Sequence, residues 1–184
     1  DIIDIAKIES GHLVITRKPV DVNQIIHPVF TAYQQRVEHQ FKGKVSIHLS
    51  RPAGTEPLFV DADPSRLLQV LNNLLDNAIK FIHEGSIELG YSFTQNRIRF
   101  HVKDTGIGIS KENQQMVFNA FRQEEESTSK QYGGTGLGLA ISKKLIEAMG
   151  GEIHLISEKG KGSEFFFFLD GIQLNQEPAR EKES

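Results

Sequence analysis

Arg66-Leu67-Leu68-Gln69-Val70-Leu71-Asn72-Asn73-Leu74-Leu75-Asp76-Asn77-Ala78-Ile79-Lys80-Phe81 is the stretch on which the fold turns. Asp63-Pro64 just ahead of it has the cap-then-proline signature of a helix start, and the periodicity carries a helix to about His83. Projected at about 100° per residue, Leu67, Leu68, Leu71, Leu75, Ala78, Ile79 and Ile82 cover one side. Arg66, Gln69, Asn73, Asn77 and Lys80 form a narrow stripe on the other, with Asp76 beside it. A solvated helix face favours Lys, Glu or Ala, and each Asn there costs about 0.5 kcal/mol against Ala. Two Asn one turn apart, with a Lys on the same stripe, therefore look chosen for their side chains. An Asn carbonyl oxygen suits a hard cation such as Mg²⁺, which usually brings phosphates with it. A neighbouring Lys holds phosphate as a point charge.

Two glycine segments extend this reading. Gly133-Gly134-Thr135-Gly136-Leu137-Gly138-Leu139-Ala140 opens a helix that runs through Met149 and stops at Gly150-Gly151. A helix start leaves backbone N–H groups unpaired, and glycines let an anion approach them closely. Asp104-Thr105-Gly106-Ile107-Gly108 directly follows a strand-like segment. A strand-ending turn needs Gly but has no need of Asp. A carboxylate fixed there can accept a hydrogen bond from an exocyclic amine such as that of adenine. Other nucleotide folds fail on specifics. The chain has no GxxxxGK[ST] string, and the segment before Gly133 is polar rather than strand-like, which removes the P-loop and Rossmann contexts. It also lacks the His-Arg-Asp and Asp-Phe-Gly signatures of a eukaryotic-type protein kinase.

At 184 residues, 38% hydrophobic and 24% charged, the chain suits one domain with a real core. A net charge of -3 with scattered basic residues gives no nucleic-acid footprint. The absence of Cys excludes disulfides and thiolate zinc sites. No apolar run approaches membrane-spanning length. Residues 1–9 read as the end of a helix stopped near Gly11, and residues 13–20 alternate as a strand. Asp21 caps a helix that Pro28 should kink, and residues 44–49 and 58–60 read as strands. Residues 86–93 and 97–103 form a hairpin turned at Gln95-Asn96, and a short helix runs from Lys111 to about Phe118. Residues 152–157 and 164–169 form a second hairpin around Gly160-Lys161-Gly162. Residues 122–132 read as a mobile polar loop and residues 172–184 as a disordered tail. Helices and strands in mixed order, with hairpins, predict an α+β fold: a two-layer sandwich with a mixed, largely antiparallel sheet.

The chain resembles the catalytic, ATP-binding domain of a sensor histidine kinase, within the wider family that includes gyrase, the heat-shock chaperone ATPases and MutL-type proteins, which share the Bergerat-type ATP-binding fold. The resemblance covers roughly residues 8–169. Residues 66–81 match that family's N box, and Asp104-Thr105-Gly106-Ile107-Gly108 its first glycine box. Val117-Phe118-Asn119-Ala120-Phe121 matches the phenylalanine box, and Gly134-Thr135-Gly136-Leu137-Gly138-Leu139 the second glycine box. Gly160-Lys161-Gly162-Ser163-Glu164-Phe165 is similar to the pattern that closes the domain. The resemblance implies ATP and Mg²⁺ as ligands. It makes Asn73 the Mg²⁺ ligand, and Asn77 and Lys80 phosphate contacts. It gives Asp104 the adenine amine, and Gly106 and Gly108 the base pocket. Residues 122–132 become a lid over ATP, anchored by Phe118 and Phe121 and hinged by the glycines that follow. Gly134, Thr135, Gly136, Leu137, Gly138 and Leu139 then line the nucleotide.

Three departures accompany it. Lys130 stands where an Arg is frequent in the lid, so a phosphate contact there loses bidentate geometry. Asn119-Ala120 replaces the usual Glu-Pro, which loosens the lid's anchor. Gln69 replaces the Glu that serves hydrolytic relatives as general base, and a neutral amide cannot take a proton from water. That difference favours phosphoryl transfer over hydrolysis.

The implied acceptor is a His in a Ser-His-Glu-x-x-Thr-Pro-like motif, and none of the seven His here has that context. Residues 5–11 resemble the end of the second helix of a dimerisation domain, which places the acceptor helix upstream of residue 1. Residues 1–11 are therefore expected to end a dimerisation/phosphoacceptor domain, 12–171 to form the catalytic domain and 172–184 to be a tail or linker. The implied partners are the dimerisation helices of the same parent, itself a homodimer, and a response-regulator receiver domain. The implied location is cytoplasmic, with membrane anchoring of the parent left open. Two other readings stand beside this one: an ATP-hydrolysing relative and a nucleotide-binding or interaction module without catalysis.

Overall fold

Alternating apolar residues in five segments build one sheet, and amphipathic helices cover a single face of it. In the computed structural model, residues 1–54, 57–94, 96–120 and 136–174 are described. The chain runs α1 (Ile2–Glu9), β1 (Lys18–Asp21), α2 (Val22–Phe41), β2 (Val45–Ser50), β3 (Leu58–Ala62), α3 (Pro64–Lys80), β4 (Gly85–Phe93) and β5 (Arg97–Asp104). It continues with α4 (Lys111–Gln114), α5 (Gly138–Ala148), β6 (Glu152–Glu158), β7 (Gly162–Asp170) and β8 (Gln173–Leu174). The main sheet has the order β2-β4-β5-β7-β6; β2 pairs parallel with β4, and the other neighbours pair antiparallel. This is the mixed, largely antiparallel sheet expected from the sequence.

On its inner face, Ile87, Leu89, Tyr91, Ile98, Phe100, Val102, Phe165, Phe167 and Leu169 are buried, with Phe100 and Phe167 stacked at 5.0 Å. α2 packs on β2, α3 on β4 and β5, and α5 on β6, so the three helices lie across the sheet with α3 touching both others. The outer face is covered more thinly. There Arg97 and Arg99 lay their guanidinium groups 4.3 and 4.1 Å over Phe168 and Phe166. None of the described helices is long and apolar enough to cross a membrane.

Several elements differ from expectation for physical reasons. Only residues 18–20 of the anticipated first strand pair in a sheet, with Asp21 added at the end; the Thr16 N–H donates to Asp63 Oδ2 (3.0 Å) rather than to a strand. β1, β3 and β8 form a second, small antiparallel sheet, so ladder pairing continues to Leu174, into the segment expected to be a disordered tail. α3 ends at Lys80 instead of His83, although Ile82 stays buried. Leu68 is 39% exposed, while Val70 and Leu74, outside the expected apolar set, are buried. The helix expected over 111–118 is helical only to Gln114 and continues as turns closed by Met116 N–H to Asn113 O and Asn119 N–H to Met116 O. Pro28 lies inside α2, which runs as one helix on either side of it.

Candidate functional site

The site begins with the cap that starts α3. Asp63 accepts hydrogen bonds from Ser65 N–H (3.1 Å), Ser65 Oγ (2.9 Å) and Arg66 N–H (3.4 Å) as well as from Thr16. Burial pushes its carboxyl pKa up, but these donors together outweigh that and hold it below the ordinary value. With its start fixed, α3 buries Leu67, Val70, Leu71, Leu74, Leu75, Ala78 and Ile79 and leaves Arg66, Gln69, Asn73, Asn77 and Lys80 half-buried on one stripe. Asp76 turns away from that stripe toward α2, where its Oδ1 accepts from Tyr33 OH (2.6 Å) and Arg36 Nη1 (2.7 Å).

The Asp104 turn and Gly138 both meet α3. At its middle, Asn73 Nδ2 donates to Gly138 O and to Ser142 Oγ, each at 3.2 Å. A Cβ on Gly138 would be in ordinary van der Waals contact with the Asn73 amide carbon, at 3.7 Å. The Asn73 amide nitrogen is therefore engaged by α5, and its carbonyl oxygen is the atom suited to a hard cation. α5 starts at Gly138 after an N-cap residue, Leu137, whose side chain cannot cap its first turn. Leu137 is fully buried and anchors that start, Gly136 has φ +69°, and Leu139 is half-buried.

At the other end, the Asp104 turn meets the C-terminus of α3: Ile107 N–H donates to Phe81 O at 3.1 Å. A Cβ on Gly106 would stand 2.3 Å from that same carbonyl, and one on Gly108, where φ is +66°, would stand 2.0 Å from Glu158 O. Only glycine fits at either position. Asp104 ends β5 on the inner face, opposite Ile87 and Ser163, and its Oδ1 accepts from Gly106 N–H at 2.8 Å. Burial pushes its pKa up to about 6, against backbone hydrogen bonds from Gly106 and Ser163 that favour the ionised form. Lys80, at the same end of α3, has its pKa lowered by burial, and its Nζ lies 5.5 Å from the Phe81 ring centre.

Gln69 is held at both ends. Its Nε2 donates to Asp4 Oδ2 (2.9 Å), and its Oε1 accepts from Arg66 Nη1 (2.8 Å), which also bonds Asp4 Oδ1 (3.1 Å). α1 thus grips α3 one turn before Asn73. Burial opposes ionisation of Asp4, but the hydrogen bonds from Gln69 and Arg66 prevail and lower its pKa. Phe118 packs edge-on against Phe165, with ring centres 6.1 Å apart, and Lys143 Nζ lies 5.7 Å over it. Lys130, Gly134, Thr135, Phe121 and residues 122–132 lie outside the described residues. Sequence reasoning missed Ser142 and Asp4. Ser142 carried a faint signal as a hydroxyl among the buried Ala140, Ile141, Leu145 and Ile146 of α5.

Comparison with known proteins identifies the family and the fold. The sequence model described as "Histidine kinase-, DNA gyrase B-, and HSP90-like ATPase" matches residues 62–172. The chain is 40% identical over 174 residues to the sensor protein GacS of Pseudomonas syringae pv. syringae, covering 92% of this chain and 19% of GacS. It is 36% identical over 180 residues to the signal transduction histidine-protein kinase BarA of Escherichia coli (strain K12), covering 95% of this chain and 19% of BarA. The chain thus spans about a fifth of the length of these relatives. Its fold matches full-length ShkA, solved in complex with AMPPNP, with a TM-score of 0.80 and 31% identity over 94% of this chain and 35% of that one. It also matches the nucleotide-free catalytic domain of the histidine kinase ThkA, with a TM-score of 0.71 and 28% identity over 85% of this chain and 96% of that one. With the ordered motifs, the docked glycine turns and these matches together, the chain belongs to the histidine kinase-, DNA gyrase B- and HSP90-like ATPase family.

Proposed function

We propose that this chain is the catalytic ATP-binding domain of a two-component sensor histidine kinase. In this reading it passes the γ-phosphoryl of ATP to a His on the dimerisation helices of its parent. The observation that carries the reading is the position of α3, joined to the Asp104 turn at Phe81 and to the start of α5 at Asn73. A base held at the Asp104 turn and phosphates held along α3 between Lys80 and Asn73 would lie against the C-terminal half of that helix.

The Asp104 carboxylate accepts a hydrogen bond from the adenine amine, and the lack of side chains at Gly106 and Gly108 lets the base lie against the turn. Asn77 and Lys80 contact the phosphates. Asn73 would hold Mg²⁺ through its carbonyl oxygen, the kind of hard donor this ion takes beside phosphates. When bound, Mg²⁺ neutralises phosphate charge. The bond from the γ-phosphorus to the bridging oxygen of ADP breaks as a bond to an imidazole nitrogen forms, and ADP leaves. Gln69, a neutral amide tied to Asp4 and Arg66, does not take a proton from water, so the phosphoryl group is kept for transfer.

α1 is read as the end of a dimerisation helix. The acceptor is assigned outside these residues, because none of the seven His sits in a Ser-His-Glu-x-x-Thr-Pro-like context. The parent is then a homodimer that works in the cytoplasm, where ATP is available, and passes the phosphoryl group on to a receiver domain. Incubation with γ-labelled ATP tests this. The chain alone should stay unlabelled, and a version extended upstream through the acceptor helices should gain acid-labile label on His. Acid-labile label on the chain alone, or steady release of inorganic phosphate in place of transfer, contradicts the proposal.

A further inference from the structure

Ser142 is fully buried on α5, one helical turn after Gly138. A hydroxyl in an apolar site is costly unless it is bonded, and Ser is a poorer helix residue than Ala. Here the hydroxyl is fully used: Ser142 Oγ donates to Gly138 O at 2.8 Å and accepts from Asn73 Nδ2 at 3.2 Å. The Gly138 carbonyl receives a second hydrogen bond from the same Asn73 amide, at 3.2 Å. The three groups close a small ring between α3 and α5.

The chemistry of that ring fixes which way the Asn73 amide faces. Gly138 O can only accept, and the Ser142 proton is already committed to it. Whatever Asn73 presents to the pair must therefore be a donor, so the NH₂ group faces α5 and the carbonyl oxygen faces away. Rotating the amide by 180° would set its oxygen against the Gly138 carbonyl and leave the single Ser142 proton to serve two acceptors, so the ring would lose two of its three hydrogen bonds. Without Ser142, only the Gly138 carbonyl would oppose such rotation.

We propose that Ser142 is a positioning residue for cation binding: it locks the Asn73 amide so that its carbonyl oxygen is presented to the magnesium ion of the bound nucleotide. This deepens the reading of Asn73 as the Mg²⁺ ligand and rests on it. Residues that orient a metal ligand typically change metal affinity about 10–100-fold when altered, and Ser142 belongs near the lower figure because Gly138 O remains.

The test is ATP binding to this chain, titrated with and without Mg²⁺, for the wild type and for Ser142→Ala, Ser142→Thr and Asn73→Ala. Ser142→Ala should need about tenfold more Mg²⁺ to reach half its affinity gain, with ATP binding in chelator unchanged. Ser142→Thr, which keeps the hydroxyl, should restore the wild-type midpoint. If Ser142→Ala keeps the wild-type Mg²⁺ midpoint while Asn73→Ala loses the Mg²⁺ dependence, the positioning role falls and the ligand reading stands. If Asn73→Ala also keeps it, both fall. Equal weakening with and without Mg²⁺ marks Ser142 as a packing residue only and overturns the inference.

Discussion

At Asp104 the fold buries a carboxyl group whose ionised form the proposed adenine contact needs. Burial lifts its pKa from 3.8 to about 6, so the proton leaves only as pH rises through that value. An adenine amine can only donate, and it binds the carboxylate more strongly than the neutral acid. ATP affinity should therefore be weak near pH 5, rise through about 6 and level off above 7. The phosphates of ATP titrate nearby, so Asp104→Asn serves as the background and should lack this slope. The variant also meets a geometric conflict. Its one carbonyl oxygen must serve Gly106 N–H, which turns its NH₂ toward the amine, donor against donor. At pH 7.5 it should bind ATP at least about tenfold more weakly, the loss expected for a hydrogen bond to a charged group. Calorimetric titration from pH 5 to 8 checks both statements; a flat wild-type profile or full affinity in the variant contradicts them.

At the scale of the element, α3 holds most of the proposed contacts, and its first turn is set by Asp63. The donors from Thr16, Ser65 and Arg66 keep that carboxyl ionised below its ordinary pKa of 3.8. Its contribution to stability is therefore present above about 4 and lost as pH falls through the lowered folded value. Asp63→Ala should lower unfolding stability by about 1–2 kcal/mol at pH 7, read from urea melts. An unchanged midpoint would show that the cap adds nothing. This start was legible because Asp63-Pro64 is a local signal, and the Asn stripe was legible because helix periodicity alone sorts residues to faces. The ring of Asn73, Gly138 and Ser142 and the grip of Asp4 on Gln69 were not. Both depend on a helix distant in sequence docking at a given rotation, which no local pattern encodes. The failed strand over 13–17 has the same origin: its alternation is real, but Asp63 takes the Thr16 N–H.

Across the whole molecule, the order of motifs was enough to give the family, because each glycine turn makes a demand that few folds share. The small sheet of β1, β3 and β8 escaped notice, since it joins the chain's early and late segments through strands as short as two residues. The assembled picture is a helix with a carboxylate turn at one end and the start of a second helix at its middle, the frame on which the proposed nucleotide site rests. Base identity probes that frame directly. Guanine carries an acceptor oxygen where adenine carries its amine, which would set it against the Asp104 carboxylate. Binding of ATP and GTP to this chain, each measured with Mg²⁺ at pH 7.5, should show saturable ATP binding and GTP binding at least about tenfold weaker. Equal affinity for the two nucleotides, or no binding of ATP, would contradict the account.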